Sequence, residues 1–239
     1  MAAAGVGRAI IAPVAWEGAR NDIGLAAAKA YPDKFAVTGQ FDADLPDARE
    51  RLASWRQQPG MVGIRLTAPI AEESPVAGWF WRDAEAAGVP VVISPAAAGL
   101  SELDGIAGCH PGLRLVIDHF AAPRDTMDDK AFEGLDRLIR LARHANVAVK
   151  ASALPAYSSE AYPFPGLHTH IRRVYDAFGP KRLFWGSDLT RLPCSYSHAV
   201  TMFTEELSWL TADDKAWIMG RALCNWIGWP LSGQGSGQD

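Results

Sequence analysis

The sequence predicts an α/β protein, a (β/α) barrel built on about seven parallel strands, from three features of the chain. A short apolar or β-branched run, a polar or Gly/Pro-rich loop and an amphipathic helical stretch recur in that order seven times, without obvious sequence repetition. The runs are 8–14, 35–41, 61–67, 90–96, 114–120, 147–153 and 182–188, and most are nearly continuously apolar. Parallel strands buried on both faces read this way. No glycine-rich dinucleotide fingerprint follows any run and no GxxxxGK[ST] loop occurs, which favours a barrel over an open doubly wound sheet. Polar residues instead gather at the C-terminal ends of the runs, where a barrel's loops meet.

The helices are marked by capping chemistry as well as by period. Ser74 followed by Pro75 reads as a helix start, since a hydroxyl accepts from an orphan amide and proline fits the first turn. Val76, Trp79, Phe80, Ala84 and Ala87 then form one apolar face, and Gly88 stands where a left-handed cap ends the helix. Leu135, Leu138, Ile139 and Ala142 make a comparable stripe between residues 128 and 145. Thr211 with Asp214 has capping-box spacing ahead of Trp217, Ile218, Leu223, Trp226 and Ile227, and Gly228 closes that element. One barrel domain over 1–230 is therefore expected, followed by a flexible tail over 231–239 whose Gly, Ser and Gln have nothing to bury.

Composition narrows the function. The chain has 239 residues, 49% of them hydrophobic and 21% charged, which suits one large core and excludes general disorder. The net charge of -4, with the two signs interspersed, leaves no basic stripe for nucleic acid and no cationic amphipathic helix for a membrane surface. The expected partner is a small-molecule substrate. Cys109, Cys194 and Cys224 are odd in number and lack metal or redox spacing, which points to a reducing, cytoplasmic location. The apolar run over 10–16 is too short and too interrupted for a signal peptide or membrane span.

Six residues at run ends are candidates for the site. In Leu113-Arg-Leu-Val-Ile-Asp-His-Phe120, strand alternation puts His119 on the side of Leu115 and Ile117; if that side faces the axis, the imidazole stands at the mouth. Loop capping is an equal alternative. Asp188 ends the last run after two small residues, Gly186 and Ser187, and is either a turn cap or a carboxylate able to take a proton from water. Arg65 and Lys150 interrupt apolar strands, so each either pairs with a buried carboxylate or receives an anionic substrate group. Ser152 follows Lys150 on the same face, and Ser94 ends another run, where its hydroxyl either meets substrate or starts a helix. His168 and His170 lie in a helical stretch, where residues two apart diverge by roughly 200°, so they are expected to cap or face solvent.

Taken together, Val116-Ile-Asp-His119, Val149-Lys-Ala-Ser152 and Leu183-Phe-Trp-Gly-Ser-Asp188 resemble the amidohydrolase-related family of the amidohydrolase superfamily, in the branch of 2-pyrone-4,6-dicarboxylate lactonase. The resemblance runs from about Gly5 to Trp229. It implies a (β/α)8 barrel in which Asp188 activates the hydrolytic water and His119 occupies a middle strand end. In metal-using members both would be ligands of a divalent ion such as zinc. It further implies that Arg65 lies near a substrate carboxylate, and that Ser94 stands where other members carry Tyr or His.

Family members open with a strand ending in His-x-His, and this sequence begins near their second strand. The expected fold is therefore a TIM-type barrel missing its first strand. Either a longer product exists, the favoured alternative, or the barrel is degenerate. Exposed edges at 8–14 and 182–188 would favour closure by another segment or a homo-oligomer. The expected activity is hydrolysis of a carboxylated small molecule, such as a lactone. The alternatives are a decarboxylating lyase on the same scaffold and a barrel without catalysis.

Overall fold

Seven parallel strands form one sheet in sequence order, and each falls inside an expected run. They are β1 (Ala9–Ile11), β2 (Phe35–Gln40), β3 (Met61–Leu66), β4 (Val91–Ile93), β5 (Leu115–Ile117), β6 (Val147–Ser152) and β7 (Leu183–Gly186). The computed structural model describes residues 1–14, 20–70, 74–95 and 97–230. The expected tail over 231–239, Trp16 and the last residue of the fourth run, Ala96, lie outside the described residues. Among the described residues no ladder joins β1 to β7, so the sheet curls as a TIM-type barrel lacking a strand.

Helices separate the strands on the outer face. They are α1 (Asp22–Ala30), α2 (Ala48–Ala53), α3 (Ala77–Ala86), α4 (Leu100–Cys109), α5 (Asp128–Ala131), α6 (Leu135–Arg140), α7 (Pro165–Phe178), α8 (Tyr196–Thr201), α9 (Ala212–Ala216) and α10 (Ala222–Ile227). The Ser74 hydroxyl accepts from the Val76 amide ahead of α3, and Gly88 beyond it has φ 61°, as its position requires. Between 128 and 145 the expected single helix is broken into α5, α6 and a short 3-10 turn. Its stripe still packs inward, with Leu135 and Leu138 fully buried.

The two faces of the sheet bury different partners. Ile93, Leu115, Ile117, Val149 and Leu183 join the main core with helix residues Phe80, Leu103, Leu138 and Val174. Val92, Val116, Ala148 and Phe184 point the other way, to the axis, where Ala222, Leu223 and Trp226 pack against them. The last helix thus floors the barrel. Its final carbonyls are held from outside, since Arg114 donates to Trp226 O at 2.6 Å and Arg56 to Ile227 O at 3.0 Å.

This arrangement corrects one expectation. Leu115 and Ile117 face the helices, so alternation puts Val116 and then Asp118 on the axis side. His119 reaches the mouth by another route, because β5 ends at Ile117 and the chain turns through left-handed backbone at His119 (φ 53°), Phe120 (φ 55°) and Ala121 (φ 54°). His168 and His170 both lie in α7 and diverge, one beside Pro163 O at 3.0 Å and the other stacked on Phe132. The three cysteines are free, and no described helix is long and apolar enough to cross a membrane.

The capping box is formed in full, since the Asp214 amide donates to Thr211 Oγ1 and the Thr211 amide donates to Asp214 Oδ2. Thr211→Ala is expected to destabilise the fold by about 1 kcal/mol, lowering Tm by about 2–4 °C. An unchanged melting curve would show that the box does not hold the C-terminal helices.

Candidate active site

At the C-terminal ends of the strands the sheet opens into a cavity of about 1840 Å³, lined by Arg65, Ser94, Asp118, His119, Lys150, Ser152 and Asp188 among others. It exceeds the usual small-molecule pocket of about 300–1,000 Å³, because it also runs down the gap between β1 and β7 past Ile10, Leu223 and Ile227.

Asp118 is the most deeply placed charge, 1% exposed, on the axis side directly after β5. Lys150 Nζ, from β6, lies 2.8 Å from its Oδ1, and Arg65 Nε, from β3, lies 3.5 Å from its Oδ2. Burial alone pushes this carboxyl up, but the charge of Lys150, with that of Arg65 and, in acid, of His119, outweighs it and holds the group below the ordinary carboxylate value. Asp118 is therefore ionised, and Arg65 and Lys150 both have the carboxylate partner that a buried cation needs.

His119 stands next to this cluster. Its Nδ1 lies 2.8 Å from Ser152 Oγ and 3.2 Å from Ser152 O. Its Nε2 lies 3.6 Å from Asp188 Oδ2. Burial holds the imidazole below its ordinary value, against the opposing pull of Asp118, so the ring is neutral near pH 7. Ser152 is 1% exposed and sits beneath the ring. Gly186 on β7 permits this approach, because a Cβ there would come within 2.9 Å of Ser152 Cβ.

Asp188 follows β7 with left-handed backbone (φ 48°) and leads into a short 3-10 turn, Leu189–Arg191, but its side chain does not cap that turn. The carboxylate is instead turned toward His119, and Arg191 Nη1 lies 3.8 Å from Oδ2. Arg191 also donates to the Tyr157 hydroxyl at 3.0 Å, and that hydroxyl donates to Ala122 O at 3.3 Å. Ser94 lies just past β4, half-buried, on the wall of the same cavity. All six sequence candidates thus meet in one space.

Three participants had not been singled out. Asp118 was legible in principle, since it shares alternation with Val116 and two cations, Arg65 on β3 and Lys150 on β6, require an anion. Arg191 and Tyr157 end short 3-10 turns, too brief to carry a periodic signal.

The resemblance implied His119 and Asp188 as ligands of a divalent metal in metal-using members, an incomplete set of two that left a metal-free site as the alternative. Among the described residues no group of three or more His, Cys, Asp or Glu side chains converges. The two donors are flanked by the cations Lys150 and Arg191, whereas a catalytic zinc needs about three protein ligands and an open position. The residues present do not fit such an ion by themselves.

Known proteins place this geometry in context. The profile of the family described as Amidohydrolase matches residues 1–222. An L-fucono-1,5-lactonase from Burkholderia ambifaria is 31% identical over 164 residues, covering 64% of this chain and 54% of that protein. The chain thus spans about half the length of this curated relative. A probable 2-pyrone-4,6-dicarboxylic acid hydrolase from Acinetobacter baumannii, crystallised with citric acid, superposes with a TM-score of 0.77 at 17% identity, covering 93% of this chain and 84% of that one. An amidohydrolase from Burkholderia multivorans with bound zinc gives 0.76 at 22% identity, covering 96% and 86%. The two structures share the fold, and the profile, which extends over most of the sequence, shows that the chain belongs to the amidohydrolase family.

Proposed function

We propose that this chain hydrolyses a small lactone or related ester that carries a carboxylate. The observation that supports this reading most directly is the approach of a neutral imidazole and a carboxylate, His119 and Asp188, to 3.6 Å at the wall of a cavity that also holds Arg65 and Lys150. The fuconolactonase likeness supports the same chemistry. With Arg65 and Lys150 set against the single charge of Asp118, one positive charge of that cluster remains uncompensated and faces the cavity. A carboxylate of the substrate is its natural partner.

In this mechanism Asp188 takes a proton from water as the water oxygen attacks the lactone carbonyl carbon. The ring C–O bond then breaks, and the alkoxide leaves with the proton that Asp188 returns. His119 either orients the water or polarises the carbonyl, two roles that need opposite protonation at Nε2. Ser94 is assigned a substrate contact, since its hydroxyl lies on the cavity wall. The donor set supports no step through a metal. The free thiols of Cys109, Cys194 and Cys224 agree with a cytoplasmic setting.

Three outcomes test the reading on a panel of sugar and aromatic lactones. Asp188→Asn should lower kcat by about 100-fold or more with little change in KM, and full turnover by this variant would remove Asp188 as the base. Arg65→Met should raise KM for carboxylated lactones and spare uncharged ones, while equal effects on both would rule out the anion contact. Because burial depresses the pKa of His119, kcat/KM should persist as pH falls through about 6.5, the ordinary histidine value, and collapse only below it. A midpoint at or above that value would contradict the burial-driven lowering of the His119 pKa. Release of CO2 in place of ring-opened acid would move the chain to the decarboxylating alternative.

A further inference from the structure

We propose that Ser152 is a positioning residue that fixes His119 as the Nδ1–H tautomer, so that Nε2 and the Asp188 carboxylate act as two acceptors bracketing the attacking water. The proposal rests on the hydrolytic reading above and decides between the two roles left open for His119. Its basis is the set of atoms around the ring.

Nδ1 faces two oxygens of one residue, Ser152 Oγ at 2.8 Å and Ser152 O at 3.2 Å. A backbone carbonyl only accepts, while a hydroxyl both donates and accepts. A proton on Nδ1 satisfies both oxygens at once. An unprotonated Nδ1 would accept from the hydroxyl but would set its lone pair against that of the carbonyl, in a site where neither reaches bulk water. The other side of the ring agrees. Nε2 and Asp188 Oδ2 are 3.6 Å apart, beyond the range of a good N–H···O bond, so a proton on Nε2 would gain no proper partner there.

With Nδ1 protonated, Nε2 and the carboxylate each keep an unused lone pair, and the two groups lie 3.6 Å apart on the cavity wall. A water seated there donates one hydrogen to each, and its own lone pairs are then directed away from both acceptors. That is the orientation a nucleophile needs, and it leaves Asp188 holding the hydrogen it is to remove. His119 cannot polarise the carbonyl from Nε2 in this state. Negative charge developing on the carbonyl oxygen falls instead to the cations of the site, Lys150 above all, a residue of the cavity lining. The sheet fixes the device, since Ser152 ends β6 beside Gly186 of β7, where no side chain intrudes.

The test reads the tautomer directly, without substrate. In the full chain labelled with 15N-histidine, long-range 1H–15N correlation near neutral pH distinguishes protonated from unprotonated ring nitrogens, with His119 assigned by its loss in His119→Gln. The wild type should show Nδ1 protonated and Nε2 bare. Ser152→Ala, which keeps the backbone carbonyl but removes the hydroxyl, should admit the second tautomer and lower kcat on the order of tenfold, with KM unchanged. A proton on Nε2 in the wild type overturns the proposal, as does a Ser152→Ala protein with unaltered tautomer and kcat. If Ser152→Ala fails to fold, the wild-type spectrum alone decides. If no lactone is turned over while Nδ1 carries the proton, the tautomer assignment stands and the hydrolytic reading fails separately.

Discussion

The site is organised around one buried carboxylate. Asp118 lies between Lys150 of β6 and Arg65 of β3, and its ionisation is what allows both cations to stay half-buried in the cavity wall. An uncompensated charge at such depth costs several kcal/mol, so removing Asp118 would leave both cations without their counterion. The parallel register makes the cluster possible. Strands in sequence order bring their C-terminal ends to a common level, and Asp118 directly after β5 meets groups near the ends of strands on both of its sides. Two cations against one anion then give the mouth a positive bias suited to an anionic small molecule.

A second constraint is backbone conformation. His119, Phe120, Ala121, Ala153 and Asp188 all have positive φ without being glycine. Each such residue costs of order 1–3 kcal/mol and persists only where its surroundings enforce it. They sit where β5, β6 and β7 end, around His119 and Asp188. The turns lift the imidazole and the acid out of the strand pattern and aim them at each other. The close approach of β6 and β7 at Gly186 completes the geometry by seating Ser152 under the ring.

Much of the fold was legible because strands buried on both faces must be apolar almost throughout, and seven such runs stand out between helical stretches. Convergence of His119 and Asp188 followed from their common position at run ends. The route did not. Alternation assigned His119 to the side of Leu115 and Ile117, yet those side chains face helices, and the imidazole arrives through a left-handed turn that no side-chain period encodes. Arg191 and Tyr157 were invisible for a related reason, since turns so short carry no period from which a direction can be read.

The sequence alone determined the order of strands and helices, the apolar character of their shared faces and the set of polar groups crowded at one end. Those properties follow from local chemistry, namely burial, capping and spacing. Tertiary structure decided which groups pair: that Asp118 is the counterion of both Arg65 and Lys150, that Ser152 serves the imidazole, and that Asp188 turns to His119 and leaves its own turn uncapped. Such pairings depend on distances of a few ångströms between residues 30 to 70 positions apart. Only the curling of the sheet around its axis sets those distances.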